Sequence, residues 1–438
     1  MAILSKEEAK QLLTKVLGYS KADECSISLN SNHGGNIRYA RNTVSTSGEE
    51  TNMTLSVQSS FGKKTGTASI NEFDSASLEK VVKRAEELAR LAPENPEYVS
   101  ILGPQQYAES KAYFDSTGKI DPEFRANVAE KSILPASKKD ITAAGFLEHS
   151  SGFSSIMNSK GLFAYHTQSD LNFTVTMRTN DGLGSGWVTR DFNDAAKLDS
   201  GEASEIAIQK AIGSRSAKAI EPGKYTVVLE PAAAVDLIEN MMRSFNARNA
   251  DEGRSFLSKK GGGNKLGEKL LDERISIYSD PLNAEVPGST WTNDGLPRKR
   301  TDWIQNGVVK TMAYDRFWAQ KKGTEAIAFP SNIIIPGGNG SLEDLIKGTE
   351  KGILVTRFWY IRSVDPQTLL YTGLTRDGTF YIENGQIKYP VKNFRFNESP
   401  VIMLNNLDAM GKAQRVNGNL IPPMRIRDFT FTSLSDAV

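Results

Sequence analysis

Tyr225-Thr226-Val227-Val228-Leu229 is a short apolar strand, and Glu230-Pro231 leads from it into Ala232-Ala233-Ala234-Val235-Asp236-Leu237-Ile238-Glu239-Asn240-Met241-Met242-Arg243-Ser244-Phe245. Pro231 suits a first helical turn, where a missing N–H leaves nothing unpaired. Ala234, Ile238, Met241 and Phe245 recur at helical spacing, so the sequence predicts a helix with one apolar stripe turned to a core. Glu239 and Arg243 stand in the favourable i,i+4 order for a surface ion pair. The run from Asp251 to Gly267, which contains Gly261-Gly262-Gly263, is too glycine-rich for a regular element. The strand-like Arg274–Tyr278 follows it. A strand, a helix and a glycine loop in that order form the unit from which the rest of the chain is read.

The totals bound the remainder. With 438 residues the chain is long enough for two or three domains and a large core. Lysine plus arginine is 53 against 52 acidic residues, a net charge of +1, which gives no basic footprint for nucleic acid. The single cysteine, Cys25, excludes a disulfide framework and a multi-cysteine zinc site and fits a reducing compartment. No apolar run reaches membrane-spanning length and the first residues do not read as a secretion signal, so a cytoplasmic protein without a membrane partner is expected.

Helix and strand signals then alternate. Ser5-Lys6-Glu7-Glu8 is a capping box opening a helix that stops at Gly18. Period-two patterns predict strands at Cys25–Leu29, Asn36–Asn42 and Asn52–Gln58, and Asp74 or Ser75 caps a helix to about Leu91. After a linker at 97–115, a helix opens at Pro122, and strands are expected at 141–147, 154–158, 163–168 and 171–178. A helix over Ser200–Ile212 closes this part. Further on, Asn306-Gly307 marks a hairpin, Ser331–Gly338 reads as an apolar strand, Ser341–Asp344 as a second capping box, and 352–391 as β-rich. The expected fold class is α+β: an N-terminal helix plus antiparallel-sheet domain (1–110), a middle segment with a linker helix and β-meander (111–223), and a β-rich C-terminal domain (224–438) built around the opening unit.

That order resembles the TldD/PmbA family of paired metallopeptidase subunits, once labelled modulators of DNA gyrase. The likeness runs along nearly the whole chain and is weakest between about 97 and 140. In the catalytic TldD-like subunits the corresponding helix carries His-Glu-x-x-x-His, and a late Cys-Gly-Lys segment supplies a third metal ligand. Counted from Val227-Val228-Leu229, the six motif positions fall here on Glu239, Asn240, Met241, Met242, Arg243 and Ser244, and the late segment reads Ala409-Met410-Gly411-Lys412. Both histidines, the glutamate and the cysteine are therefore replaced, which implies a PmbA/TldE-like subunit. By that resemblance there is no zinc in this chain and no catalytic residue, and zinc is expected in a TldD-like partner. Unstructured peptide would be the substrate of the complex. The alternative is a stand-alone, homodimeric peptide-binding or scaffold protein.

The chemistry of the degenerate positions, Glu239, Asn240, Ser244 and Met410, agrees. A catalytic zinc takes about three strong imidazole, thiolate or carboxylate ligands, and Glu239 alone cannot hold it. Positions five apart are ~140° apart around an ideal helix, so two of them meet one ion only where the helix widens or ends. Two other stretches are candidates for a substrate channel. Arg357, Tyr360 and Arg362 put guanidinium and aromatic groups on one strand, either to grip extended peptide or, for the arginines, to pair with acids such as Asp365 and Asp377. Gly261, Gly262 and Gly263 form either a flap over a channel or a surface loop. His33, His149 and His166 have no short ligand spacing. No Gly-x-Ser-x-Gly elbow or phosphate-loop spacing occurs.

Overall fold

The alternating segments of the first half do not end where their apolar residues do. In the computed structural model, which describes residues 3–435, they merge into long antiparallel strands: β1 (Glu24–Ala40), β2 (Thr43–Phe61), β3 (Lys64–Ile70), β4 (Ile141–Asn158), β5 (Phe163–Thr179) and β6 (Ser185–Phe192). They form one six-stranded sheet in the order β3-β2-β1-β4-β5-β6, shared by the segments 1–110 and 111–223. Cys25–Leu29 and Asn36–Ala40 belong to the single strand β1, and Arg41-Asn42, expected to continue it, form the turn to β2; the polar stretch between the two apolar parts is paired on both sides, Gly34 lying opposite Glu50 on β2 and Ser150 on β4. Backbone pairing from two neighbours carries the strand through residues whose side chains give no strand signal.

Period-two alternation gives this sheet two unlike faces. Cys25, Ile27, Leu29, Ile37 and Tyr39 share one face and are buried. At one end α1 (Lys6–Leu17) and α2 (Ser75–Leu91) cover that face through Leu13, Val16, Leu78 and Val82. At the other end α3 (Pro122–Ser137) and α4 (Ser200–Gly213) cover it through Val128, Ala129, Ala207 and Ile208. The capping box at Ser5 is formed, with Ser5 Oγ accepting from the Glu8 N–H at 3.3 Å and the Ser5 N–H donating to Glu8 Oε2 at 2.7 Å. Between the helix pairs the buried Arg125 reaches under the sheet, donating from Nη1 toward His149 Nε2 at 3.1 Å and pairing with Glu49 at 3.3 Å. Gly35 leaves room for this guanidinium: a Cβ there would lie 2.3 Å from Arg125 Nη1, so a larger residue would have to displace it.

The second half is β-rich. The strand β7 (Lys224–Leu229) pairs in parallel with β8 (Lys351–Asp365), which pairs with β9 (Leu370–Glu383). Beyond β9 lie β10 (Gln386–Pro390), β11 (Phe394–Glu398), β12 (Leu407–Met410), β13 (Gln414–Val416), β14 (Asn419–Ile421) and β15 (Met424–Leu434). Because β9 pairs with both β8 and β11, the order β8-β7-β15-β11-β9 closes on itself as a barrel-like sheet. Its interior is aromatic: Phe358 lies 4.5 Å from Phe396 and Phe394 4.5 Å from Phe431, centroid to centroid.

Against this barrel packs α5 (Pro231–Arg243), the helix of the opening unit. Ala234, Ile238, Met241 and Phe245, the predicted stripe, are fully buried in the main core with Ile353, Phe358 and Met424. Burying a large apolar side chain contributes about 1.5–3 kcal/mol, so this face fixes the helix more firmly than its propensity does. The expected strand at 331–338 is not a ladder strand. Ile334 makes isolated bridges to Tyr278 and Leu420, and Pro336 offers no donor to extend them.

Candidate functional site

Glu239, Asn240 and Ser244, three of the four positions singled out by counting, lie at the C-terminal end of α5. The helix ends at Arg243, with Ser244 as its C-cap donating its N–H to Met241. Residue 244 thus leaves the cylinder at the point where two positions five apart can be brought to one side. None of the side chains present uses that geometry for a metal. The Glu239 carboxylate takes Arg243 Nη2 on Oε2 at 2.7 Å and Asn419 Nδ2 on Oε1 at 2.9 Å. Asn240 turns its amide back to the Asp236 carbonyl at 2.8 Å, and Ser244 Oγ donates to the Asn240 carbonyl at 3.3 Å. Met410 on β12 packs against the main core. One carboxylate, already held by two donors, does not fit a catalytic zinc, which needs three strong ligands and an open position. Among the described residues no group of three or more histidine, cysteine, aspartate or glutamate side chains could hold a metal ion.

A pocket of about 380 Å³ opens beside this helix end, lined by Glu239, Met242, Arg243, Phe329, Asn417 and Asn419 among others. Asn419 is its keystone. Besides Glu239, it accepts the Ile333 N–H on Oδ1 at 2.7 Å and donates to the Asn417 carbonyl at 2.9 Å. It follows the tight turn Asn417-Gly418 between β13 and β14, where both residues have positive φ (+50° and +70°), as a two-residue hairpin requires. On the other side of the hairpin, Arg415 Nε donates to Asp191 Oδ2 on β6 at 2.8 Å, and the Gly418 N–H donates to the same oxygen at 2.8 Å. The hairpin is therefore clamped between α5 and the six-stranded sheet.

Asn417 also lines a much larger chamber, of about 850 Å³, over the sheet face that carries no helices. The strand register shows how that face is made. Gly48, Asn36, Glu148, Asn172 and Asp191 form one cross-strand row, and Glu50, Gly34, Ser150 and Asp170 form the next. Asn52, Asn32, Gly152 and Gln168 make a third. These side chains are polar or absent across four or five strands. Trp291 packs on Ile156 and Ala164 at one end of the face, so the loops of the second half roof it there.

Titration follows burial. Asp236, on α5 between the apolar stripe and the Glu239 carboxylate, is pushed up to about 7, first by desolvation and then by Glu239. His149 is pushed down to about 4 by burial and by the Arg125 guanidinium. Asp170 is raised by burial, against its hydrogen bond from Gln168.

The two predicted channel stretches lie elsewhere. Arg357 is committed to the buried Asp377, donating from Nε at 2.8 Å and also from Nη2, with its guanidinium 4.3 Å from the Trp187 ring. Tyr360 is exposed, at φ +55°, with Arg362 stacked on its ring at 4.3 Å. Gly261, Gly262 and Gly263 form a tight turn closed by the Lys259 N–H to the Gly263 carbonyl at 2.9 Å, and all three have positive φ. None of these six residues lines the chamber or the pocket beside α5. Of the residues that do, Glu239 was singled out from the sequence, whereas Asn417, Asn419 and the polar face of the sheet were not. Their signal was there in the alternation of Asn30, Asn32, Gly34 and Asn36, and of Gly48, Glu50 and Asn52.

Family models match along most of the chain. The PmbA/TldA metallopeptidase domain 1 matches residues 25–89, the central domain 109–215 and the C-terminal domain 222–433. The chain is 24% identical over 371 residues to an uncharacterized protein of Methanocaldococcus jannaschii, covering 80% of this chain and 83% of that one. With metalloprotease PmbA of Escherichia coli O157:H7 it shares 20% over 457 residues, covering 97% and 98%. It superposes on TldE from Thermococcus kodakarensis with a TM-score of 0.85 at 19% identity, covering 97% and 99% of the two chains.

Proposed function

The chain belongs to the PmbA/TldA metallopeptidase family, and on that premise we propose that it is the non-catalytic subunit of a heteromeric zinc metallopeptidase acting on unstructured peptides. A TldD-like catalytic subunit would supply the zinc, and this chain would shape the substrate passage, in the cytoplasm. The observation that carries the reading is the chemistry at the motif positions. Glu239 is held by Arg243 and Asn419, Asn240 and Ser244 are turned back onto the helix backbone, and Met410, half-buried, packs against the core. Without a bound metal nothing there lowers the pKa of an attacking water. The polar chamber meeting this pocket at Asn417 supports a role in substrate passage.

The test uses the purified chain, alone and mixed with the TldD-like chain of the same organism, measuring zinc content and cleavage of an unfolded peptide. The expected result is a metal-free, inert single chain and a mixture that binds zinc and cuts. Stoichiometric zinc and cleavage with the single chain would overturn the reading. A mixture that neither associates nor cuts, with peptide bound by the single chain, would favour a stand-alone binding protein.

A further inference from the structure

We propose that the chamber on the helix-free face of the six-stranded sheet is a binding site for the cationic side chains of an extended peptide, so that lysine- and arginine-rich segments are favoured. This rests on the reading of the chain as a peptide-handling subunit, and it adds a substrate class to it.

The charge of the face is the first ground. Glu50, Glu148, Asp170 and Asp191 lie in its two adjacent cross-strand rows, and Arg415, from the hairpin, is the cation lining the same space. Arg415 is paired with Asp191 at 2.8 Å, which leaves the exposed carboxylates of Glu50 and Glu148 to set the potential. Carboxylates on the walls of a cavity focus the field and raise the local concentration of cations.

Unpaired polar atoms supply the second ground, independent of charge. Asp191 is 8% exposed and its Oδ1 has no hydrogen-bond partner, although Oδ2 accepts from both Arg415 and Gly418. His166, on the same face and also 8% exposed, has an unpartnered Nε2 and lines the adjoining cavity, which shares Asp170 with the chamber. A buried acceptor without a donor is costly. An N–H donor from a lysine, an arginine or the backbone of an extended peptide would pair with it.

Length is the third. The two cavities meet along Asn32, Ser150 and Asp170, and the chamber meets the pocket at the end of α5 through Asn417. An extended peptide gains about 3.3 Å per residue, so a passage across several strands spaced about 4.8 Å apart holds several residues at once.

The experiment is fluorescence anisotropy of the purified full chain with three short unstructured peptides, identical except for lysine, serine or glutamate at alternate positions. The lysine peptide is expected to bind about tenfold more tightly than the glutamate peptide at low salt, with the preference fading at high salt. E50Q/E148Q, at two exposed positions, should remove most of that preference. If that variant fails to fold, as judged by circular dichroism, E148Q alone is read in its place. Equal binding of the three peptides, or a preference that the substitutions or salt leave intact, overturns the assignment but not the peptide reading. No binding of any of the three overturns both.

Discussion

Asp377 is the most exacting place to test the energetics of this fold. It is 1% exposed, sits at φ +55°, accepts from Arg357 and Ser185, and so ties β9 to β8 and to the edge strand β6 of the other sheet. Removing the carboxylate leaves the guanidinium of Arg357, itself 18% exposed, without its counter-ion. Breaking a buried pair from one side costs about 3–5 kcal/mol, and the lower end applies here because Arg357 keeps its contact with Trp187. Asp377→Asn, whose side chain tolerates the left-handed region, should therefore cost about 3 kcal/mol. Asp377→Ala should cost about 1 kcal/mol more for the backbone. Adding Arg357→Met to Asp377→Asn should recover part of the loss, since the Arg357 charge is gone while Arg376, which also pairs with Asp377 at 3.7 Å, still loses its carboxylate. Urea midpoints read by tryptophan fluorescence and by circular dichroism measure these values, provided the two transitions coincide. A loss under about 1 kcal/mol for Asp377→Asn, or a double variant no better than the single, would refute the reasoning.

The remaining expectations are as direct. Gly152→Ala would put a Cβ 1.9 Å from the Ser31 carbonyl oxygen, so it should cost about 3 kcal/mol or more, whereas Gly48→Ala, with nothing nearer than 3.9 Å, should cost under about 1; thermal denaturation of the two variants compares them. Acid should destabilise the chain through His149. An unfolded histidine takes its proton near 6.5 and the folded one only near 4, so between these values the unfolded state binds more protons and stability falls as pH falls. His149→Gln should flatten that slope, read as urea midpoints at pH 7 and pH 5. A chelator should leave the melting temperature of the isolated chain unchanged while abolishing cleavage by the mixture with a TldD-like subunit. A chain whose melting temperature falls on chelation holds a metal that Glu239, Asn240, Ser244 and Met410 do not explain.

What the sequence determined by itself is local and periodic. The amphipathic stripe of α5, both capping boxes, the Glu239–Arg243 pair and the α+β class were legible because each depends on residues within a turn or two of one another. The extent of the long strands was not, because Asn30 to Asn36 are held in β1 by pairing with residues far away in the chain, such as Glu50 and Ser150. Nor was the fate of Arg357, which either a peptide or an acid would have suited until β9 turned Asp377 into the interior. The candidate site itself was decided only by tertiary structure. Cross-strand register lines up polar residues from four or more strands into one face, and the hairpin at Asn417 joins that face to the end of α5, a juxtaposition of groups that no single stretch of sequence contains.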